Sequence, residues 1–565
     1  MSERALWQRR LGRRGALALG GAAAFAAACG GGGTGPAAGG AGAPGTPQAR
    51  LGTPTTKQPK PGGSLTIRIT ADPPNWSPFT ASTYTAATAN MAYNKLLKLK
   101  VSPEIDPADV VLEPDLAEKM PETPDELTFI FTLRPNVKFH DVPPANGRLM
   151  TAEDVKAAID AYRSDSRSAF RADYSSIDSV EAVDARTVRV KLKEPYVPLL
   201  GISAGQYGWR IFPKEMLEGD DLKTKAVGTG PFILESYAPS SKATYRRNPN
   251  YFKSGLPYLD SLTVAIIPQD ASALSAFQTG QVHVITQVDC TNAQQLKNQK
   301  RDARYQQTFD NHPGGYIAVD TSRPPFNDAR VRQALSMAFN RKAESDALMC
   351  GEGRPDQLIP TGAFKKALPI NQLGEAAKFW DYNPAEAKKL LAAAGYPEGF
   401  EVPLNYTPQY GQQHVSSAER AIADFAVVGI RVKPQAIQYN EWISQVYRPP
   451  FNFTGILWGP SRYYTDPDPY VWYWLHPDPK QGISNQSRVN DPALLPLLEK
   501  QRRTLDEAER LKVIGEIQKI VAAQQYYIGR NTGNAYAFWE GWLEGWSARL
   551  VYDFPQVEQA WDSRR

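Results

Sequence analysis

The chain runs to 565 residues, with 64 Lys and Arg against 59 Asp and Glu, for a formal net charge of +5. Residues 1 to 28 hold five Arg and one Glu and so carry +4 of that charge, leaving +1 for the rest. No basic footprint remains for nucleic acid, and the remaining length exceeds what one hydrophobic core supports, so about two or three domains are expected.

The first element is a leader. Arg4, Arg9, Arg10, Arg13 and Arg14 precede an apolar, glycine-rich run from Gly15 to Phe25, which ends in Ala26-Ala27-Ala28-Cys29. A basic start, a short apolar stretch and small residues at a cut site describe an export signal. The run is shorter than the roughly 20 apolar residues a spanning helix needs, so removal of residues 1–28 is expected. Cys29 is the expected lipidation site, although Ala26 departs from the leucine usual in bacterial lipoboxes. The pair Arg13-Arg14 also fits twin-arginine export, so both routes stay open. Residues 29–62, rich in Gly, Ala, Pro and Thr, offer little to bury and read as a flexible tether. The expected location is the outer face of the cytoplasmic membrane, extracellular or periplasmic.

The body opens on Ser64-Leu65-Thr66-Ile67-Arg68-Ile69, an alternating strand, followed by the loop from Asp72 to Pro78. Thr128 to Leu133 and Thr187 to Leu192 alternate in the same way. Between them Thr151 caps a helix with Val155, Ala158, Ile159 and Tyr162 on one face. Asn327 is expected to cap a helix with Val331, Ala334, Leu335 and Ala338 inward. Asn383, followed by Pro384 at the first helical position, starts another that stops at Gly395. Ala418 to Gly429 reads as a helix feeding the strand Ile430-Arg431-Val432, and Thr504 to Gln524 as a long amphipathic helix. Strands and helices mixed at these spacings indicate an α/β or α+β architecture, and no period repeats along the chain.

Few patterns point to chemistry. Gly201-Ile202-Ser203-Ala204-Gly205 matches the G-x-S-x-G elbow of serine hydrolases, but Gln206 to Pro213 does not supply the long helix that must follow it. His140 beside Asp141 reads as a loop histidine after a strand. Cys290 and Cys350 have no Cys or His neighbour at metal-ligand spacing, and two cysteines alone leave a disulfide undecided. Neither a Walker loop nor a zinc-protease motif occurs. No catalytic residue, metal or cofactor is therefore expected.

Several segments together resemble a known family. Glu113-Pro114-Asp115-Leu116-Ala117-Glu118, Phe131 to Asp141, Thr151-Ala152-Glu153-Asp154-Val155, Gly228-Thr229-Gly230-Pro231-Phe232, Arg247-Asn248-Pro249-Asn250-Tyr251 and Pro325 to Leu335 follow one another as in the family 5 extracellular solute-binding proteins. These serve ABC importers of peptides, nickel and some oligosaccharides. The resemblance implies a bilobed periplasmic-binding-protein-like fold with a hinge and an extra inserted domain. Lobe I would combine 63–98, 226–312 and 531–565; the insertion would be 99–225 and lobe II 313–530. It also implies a monomer that closes its lobes on a ligand and delivers it to the membrane permease. Gly228 and Gly230 would permit a sharp turn before a strand.

The segment that should hold the ligand departs from the family pattern. In peptide-binding members a Trp follows the glycine equivalent to Gly459, and an Asp three positions on pairs with the peptide's ammonium group; here Pro460 and Tyr463 stand in those places. A phenol cannot neutralise an ammonium group at neutral pH. Asp466 could replace the missing carboxylate, yet Asp466-Pro467-Asp468-Pro469 also reads as a turn. The ligand-binding candidates are Trp76 and Tyr84 from the first lobe with Trp458, Arg462, Tyr463, Tyr464 and Asp466 from the second, while Trp472 and Trp474 are expected to face the core. Peptide, from the family's majority, is the expected ligand. An oligosaccharide or other neutral solute, which aromatic faces suit, is the alternative, and nickel lacks a histidine cluster.

Overall fold

The computed structural model describes residues 56–106, 109–309, 315–361, 364–461, 464–548 and 554–565. The leader, Cys29, Arg462 and Tyr463 lie outside the described residues. Among the described residues no helix is long and apolar enough to cross a membrane.

The strand Ser64–Ile69 sits inside a seven-stranded sheet. It runs parallel to Ser261–Ile266, with Ser64 opposite Ser261 and Ile69 opposite Ile266, and on its other side parallel to Val284–Val288. The sheet order is Arg304–Phe309, Asn534–Trp539, Val284–Val288, Ser64–Ile69, Ser261–Ile266, Lys242–Arg247, Phe232–Ala238. Flanked on both edges, the strand buries even Arg68, whose guanidinium bonds the Ile267 carbonyl at 2.9 Å and Asp270 at 2.7 Å.

A four-stranded antiparallel sheet, in the order Glu122–Asp125, Thr128–Thr132, Thr187–Leu192, Ile177–Ala182, carries the helix Ala152–Ser164. That helix begins with the capping box of Thr151 and Asp154 and buries Val155, Ala158, Ile159 and Tyr162 completely. The two sheets share one continuous apolar core, from Leu65 through Phe131 and Tyr196 to Ala560.

The third large sheet has five strands, in the order Ile430–Ala436, Phe400–Tyr406, Ile456–Gly459, Tyr316–Val319, Tyr527–Gly529. Its strands alternate between two cores. Ile317, Val319, Ile456 and Trp458 pack with the helices Ala329–Ala338, Pro384–Ala393 and Gln412–Ala426. Tyr316, Ala318 and Leu457 pack on the other face with Asp468–Leu475, Leu494–Arg503 and Glu507–Gln524.

Several helix starts differ from the sequence expectation. Asp328, not Asn327, caps Ala329–Ala338, because its carboxylate reaches the Arg330 amide. The helix expected from Thr504 starts later, at Glu507 with Asp506 as its cap, while Thr504 ends a separate preceding helix, Leu494–Arg503. The helix expected from Ala418 begins at Gln412. Gly228 and Gly230 lie in the bend before Phe232–Ala238, and what requires glycine there is close approach. A Cβ on Gly228 would lie 2.3 Å from the Ala92 carbonyl oxygen, and one on Gly230 2.4 Å from the Ala92 carbonyl carbon.

The chain passes between the seven-stranded and five-stranded sheets after Arg304–Phe309 and again after Tyr527–Gly529. The two passages touch, the Arg530 amide donating to the Gly315 carbonyl at 3.3 Å. Beside them a disulfide joins Cys290, at the start of the helix Cys290–Gln299, to Cys350, just past the helix Arg341–Leu348, with Cα atoms 6.2 Å apart. Cys290 belongs to the core on the seven-stranded sheet, whereas Cys350 follows a helix of the five-stranded side.

Candidate functional site

The strand Ile456–Gly459 delivers the chain to the segment that departs from the family pattern. Gly459 lies opposite Tyr316, and a Cβ there would fall 2.7 Å from the Tyr316 ring. Glycine is what lets the strand end in that position. The loop that follows is pinned by the Tyr447 hydroxyl, which donates to the Pro460 carbonyl at 3.1 Å, and by the Tyr464 amide, which donates to the Tyr470 hydroxyl at 3.0 Å.

Both acidic residues of the loop are occupied. Asp466 accepts from both terminal nitrogens of Arg510, at 2.6 and 2.9 Å, and its Oδ1 also accepts the Asp468 amide at 2.8 Å. Asp468 is fully buried and accepts from Arg502 Nε at 2.8 Å and Nη2 at 2.9 Å, with a further bond from Gln501. Asp466-Pro467-Asp468-Pro469 thus forms a turn clamped by two arginines. Asp466, offered as a substitute for the missing anchor, spends its charge on Arg510 within its own core.

The aromatic candidates separate in the same way. Trp458, expected to face a ligand, is 0% exposed. It meets Phe339 edge to face at 5.9 Å and carries the Arg530 guanidinium 4.1 Å from its ring centre. The alternation of its strand sends it into one core and Leu457 into the other. Trp76 is buried at 5% exposure and packs edge to face on Tyr237 at 5.3 Å. Tyr84 is half-buried and shares a 2.7 Å bond with the Thr70 hydroxyl. Tyr464, also half-buried, meets Tyr470 at 4.9 Å. Trp472 and Trp474 are buried.

This loop touches the other core. The Thr465 hydroxyl donates to the Gly201 carbonyl at 2.9 Å, in the helix Leu199–Ala204. Nearby, the Val197 amide donates to the Arg502 carbonyl at 3.0 Å, Glu194 pairs with Arg503 at 2.6 Å, and the Tyr196 ring lies 5.0 Å from the Arg502 guanidinium. Sequence reading missed Tyr196, Arg502 and Arg510, because ion pairs between residues far apart in the chain leave no local pattern.

Two buried polar groups near Trp458 also went unread. Arg530 is buried with Nε and Nη1 unpartnered, and burial lowers its pKa to about 10 against the opposing pull of Glu344. His414 Nε2 has no partner, and burial, reinforced by the charge of Arg530, brings that imidazole down to about 3. His414 is therefore neutral at physiological pH.

The hydrolase pattern is accounted for locally. Ser203 lies inside the helix Leu199–Ala204, not on a strand-to-helix turn, and its hydroxyl donates to the Leu200 carbonyl at 3.0 Å. His140 is fully buried against the Gly230 carbonyl at 3.0 Å, and burial lowers its pKa to about 4. Among the described residues no group of three or more His, Cys, Asp or Glu could hold a metal ion.

Comparison with known proteins places this architecture. Heme-binding protein A of Haemophilus influenzae is 27% identical over 467 residues, spanning 78% of this chain and 82% of its own. The solute-binding protein MoaA of A. tumefaciens R10, solved with mannopinic acid, is 27% identical with a TM-score of 0.75, covering 89% of this chain and 99% of its own. The oligopeptide-binding protein AppA of Bacillus subtilis, solved with a nonapeptide, shares the fold at a TM-score of 0.77 and 22% identity, over 89% of this chain and 100% of its own. Residues 111–482 match the model of the bacterial extracellular solute-binding proteins, family 5 (middle), and the chain belongs to that family.

Proposed function

We propose that this protein is a lipid-anchored receptor, tethered through Cys29 and the linker 29–62, that captures a solute between two lobes and delivers it to an ABC permease. Lobe I combines 63–98, 226–312 and 531–565 around the insertion 99–225; lobe II is 313–530. The observation that carries this reading is the contact of the loop after Gly459 with the helix Leu199–Ala204, through Thr465 and Gly201. A loop of one core that bonds the backbone of the other can seal a ligand from water. Trp76, Tyr84 and Tyr464, with Arg462 and Tyr463, are the proposed ligand contacts, and the receptor works as a monomer.

A dipeptide or oligopeptide is the leading ligand, in keeping with the peptide held by the Bacillus relative. A neutral solute such as an oligosaccharide is the second reading. It is favoured because both loop carboxylates, Asp466 and Asp468, are paired with arginines and leave no free anion there for a peptide's ammonium group. Mass spectrometry of small molecules released from the purified protein tests the choice: a peptide mass is expected, and a sugar would replace the first reading by the second. Ser203→Ala is expected to leave ligand capture unchanged. An esterase activity abolished by that substitution would overturn the receptor reading.

A further inference from the structure

Arg502 is the point where the loop, its following helix and the opposite core converge. Its guanidinium forks onto buried Asp468, which opens the helix Asp468–Leu475. One turn on, the Trp472 ring centre lies 3.5 Å from the same guanidinium. The Tyr196 ring, from the other core, lies 5.0 Å away, and the Arg502 carbonyl accepts the Val197 amide at 3.0 Å. The Tyr196 hydroxyl is buried without a hydrogen-bond partner. The aromatic face, not the phenol, therefore makes this contact.

A planar guanidinium can hold a carboxylate through its edge while stacking through its faces, which an ammonium group cannot do. Asp468 directly follows the loop that bonds Gly201 through Thr465. The same side chain thus fixes the end of the loop and presents a flat cation to the opposing lobe. When the lobes part, the Asp468 fork stays whole within its own core, whereas the Tyr196 contact is lost.

We propose that Arg502 is a positioning residue for ligand capture: it holds the loop after Gly459 through Asp468 and senses closure by stacking on Tyr196. The proposal rests on the two-lobe reading above. It makes Tyr196, itself a member of its own core, a closure contact as well.

The test uses the full chain, dye-labelled at the exposed positions Val183→Cys and Val427→Cys, one on each core, with distances read by single-molecule energy transfer in ligand-free protein. Wild type is expected to populate a closed and an open distance. Tyr196→Ala is expected to lower the closed-to-open ratio about tenfold, and Arg502→Lys to lower it in the same direction. Tyr196→Phe should leave the ratio unchanged. Because Arg502 variants can weaken the fold through Asp468, Tyr196→Ala is the deciding variant: it sits on the other core and leaves the Asp468 pair intact. Two wild-type distances with an unchanged ratio in Tyr196→Ala would overturn the role of Arg502 and leave the two-lobe reading standing. A single wild-type distance would overturn both.

Discussion

Among the described residues the two cores meet in several places, including Lys365 with Asp106 at 2.8 Å and Asp109 at 3.1 Å, and two of these places are built by different means. Near Arg530 they are joined through the chain itself: two passages of backbone, the Cys290–Cys350 disulfide, and Glu352, which accepts from Asn534 at 2.8 Å and Tyr536 at 2.9 Å. Near Arg502 they meet through contacts that can separate: one hydroxyl bond, one backbone bond, a ring on a guanidinium and the half-exposed pair of Glu194 and Arg503. On the two-lobe reading proposed above, the first set would fix a pivot and the second could be made and broken without unfolding either core. A receptor that must open and shut needs both kinds, and the difference lies in chemistry more than in extent.

The largest way to break this division is at Asp468. Its carboxylate holds Arg502 and Gln501 at zero exposure, so Asp468→Ala leaves a buried guanidinium without its partner. The expected loss is about 5 kcal/mol of stability, at the upper end for a broken buried pair. Chemical denaturation should show it in the five-stranded core, and an unchanged midpoint would remove Asp468 from the clamp.

The disulfide sharpens the comparison from the other side. Cys290 and Cys350 are separated by 60 positions, and closing a loop of that length stabilises by about 4 kcal/mol in the chain-entropy account. Cys290→Ser with Cys350→Ser is therefore expected to lower stability by about 4 kcal/mol, with the backbone passages still in place. Small-angle scattering of the ligand-free variant should also report a wider range of lobe separations. If scattering is unchanged, the backbone passages alone set the pivot.

Much of this architecture was legible in the sequence. Ser64–Ile69, Thr187–Leu192 and the capped helices after Thr151 and Asn383 follow from alternation and capping chemistry, which act within a few residues. Helix starts at Asp328 and Asp506 were displaced because several acidic or polar residues compete to cap, and the geometry of the preceding turn decides which reaches the amide. Trp458 was misread because aromatic content announces neither face; strand register put its ring into the core. Asp466 follows its turn reading, not its reading as an anchor, because Arg510, 44 residues away, claims its carboxylate. The order of family segments identified the type of receptor, whereas the contacts between its cores depend on pairs that only the folded chain brings together.

Asp356 gives the joined region near Arg530 a pH signature. It lies where the five-stranded core meets the second backbone passage: its amide donates to the Arg530 carbonyl at 2.9 Å, and its carboxylate accepts from the Thr532 hydroxyl at 2.7 Å. Burial raises its pKa from 3.8 to about 6, outweighing the opposing bonds from Thr532, Gln357 and Thr361. The folded state therefore binds this proton more tightly than the unfolded chain. The stabilisation is complete below pH 3.8 and is lost as pH rises through 6, a change of about 3 kcal/mol. Asp356→Asn removes the titration while keeping the shape, so the stability of wild type relative to the variant should fall by about that amount between about pH 3 and about pH 7. Denaturation at the two pH values measures it. A difference that stays constant would mean that the carboxylate is as well solvated in the pivot as in the unfolded chain, and that the pivot is looser than its buried bonds imply.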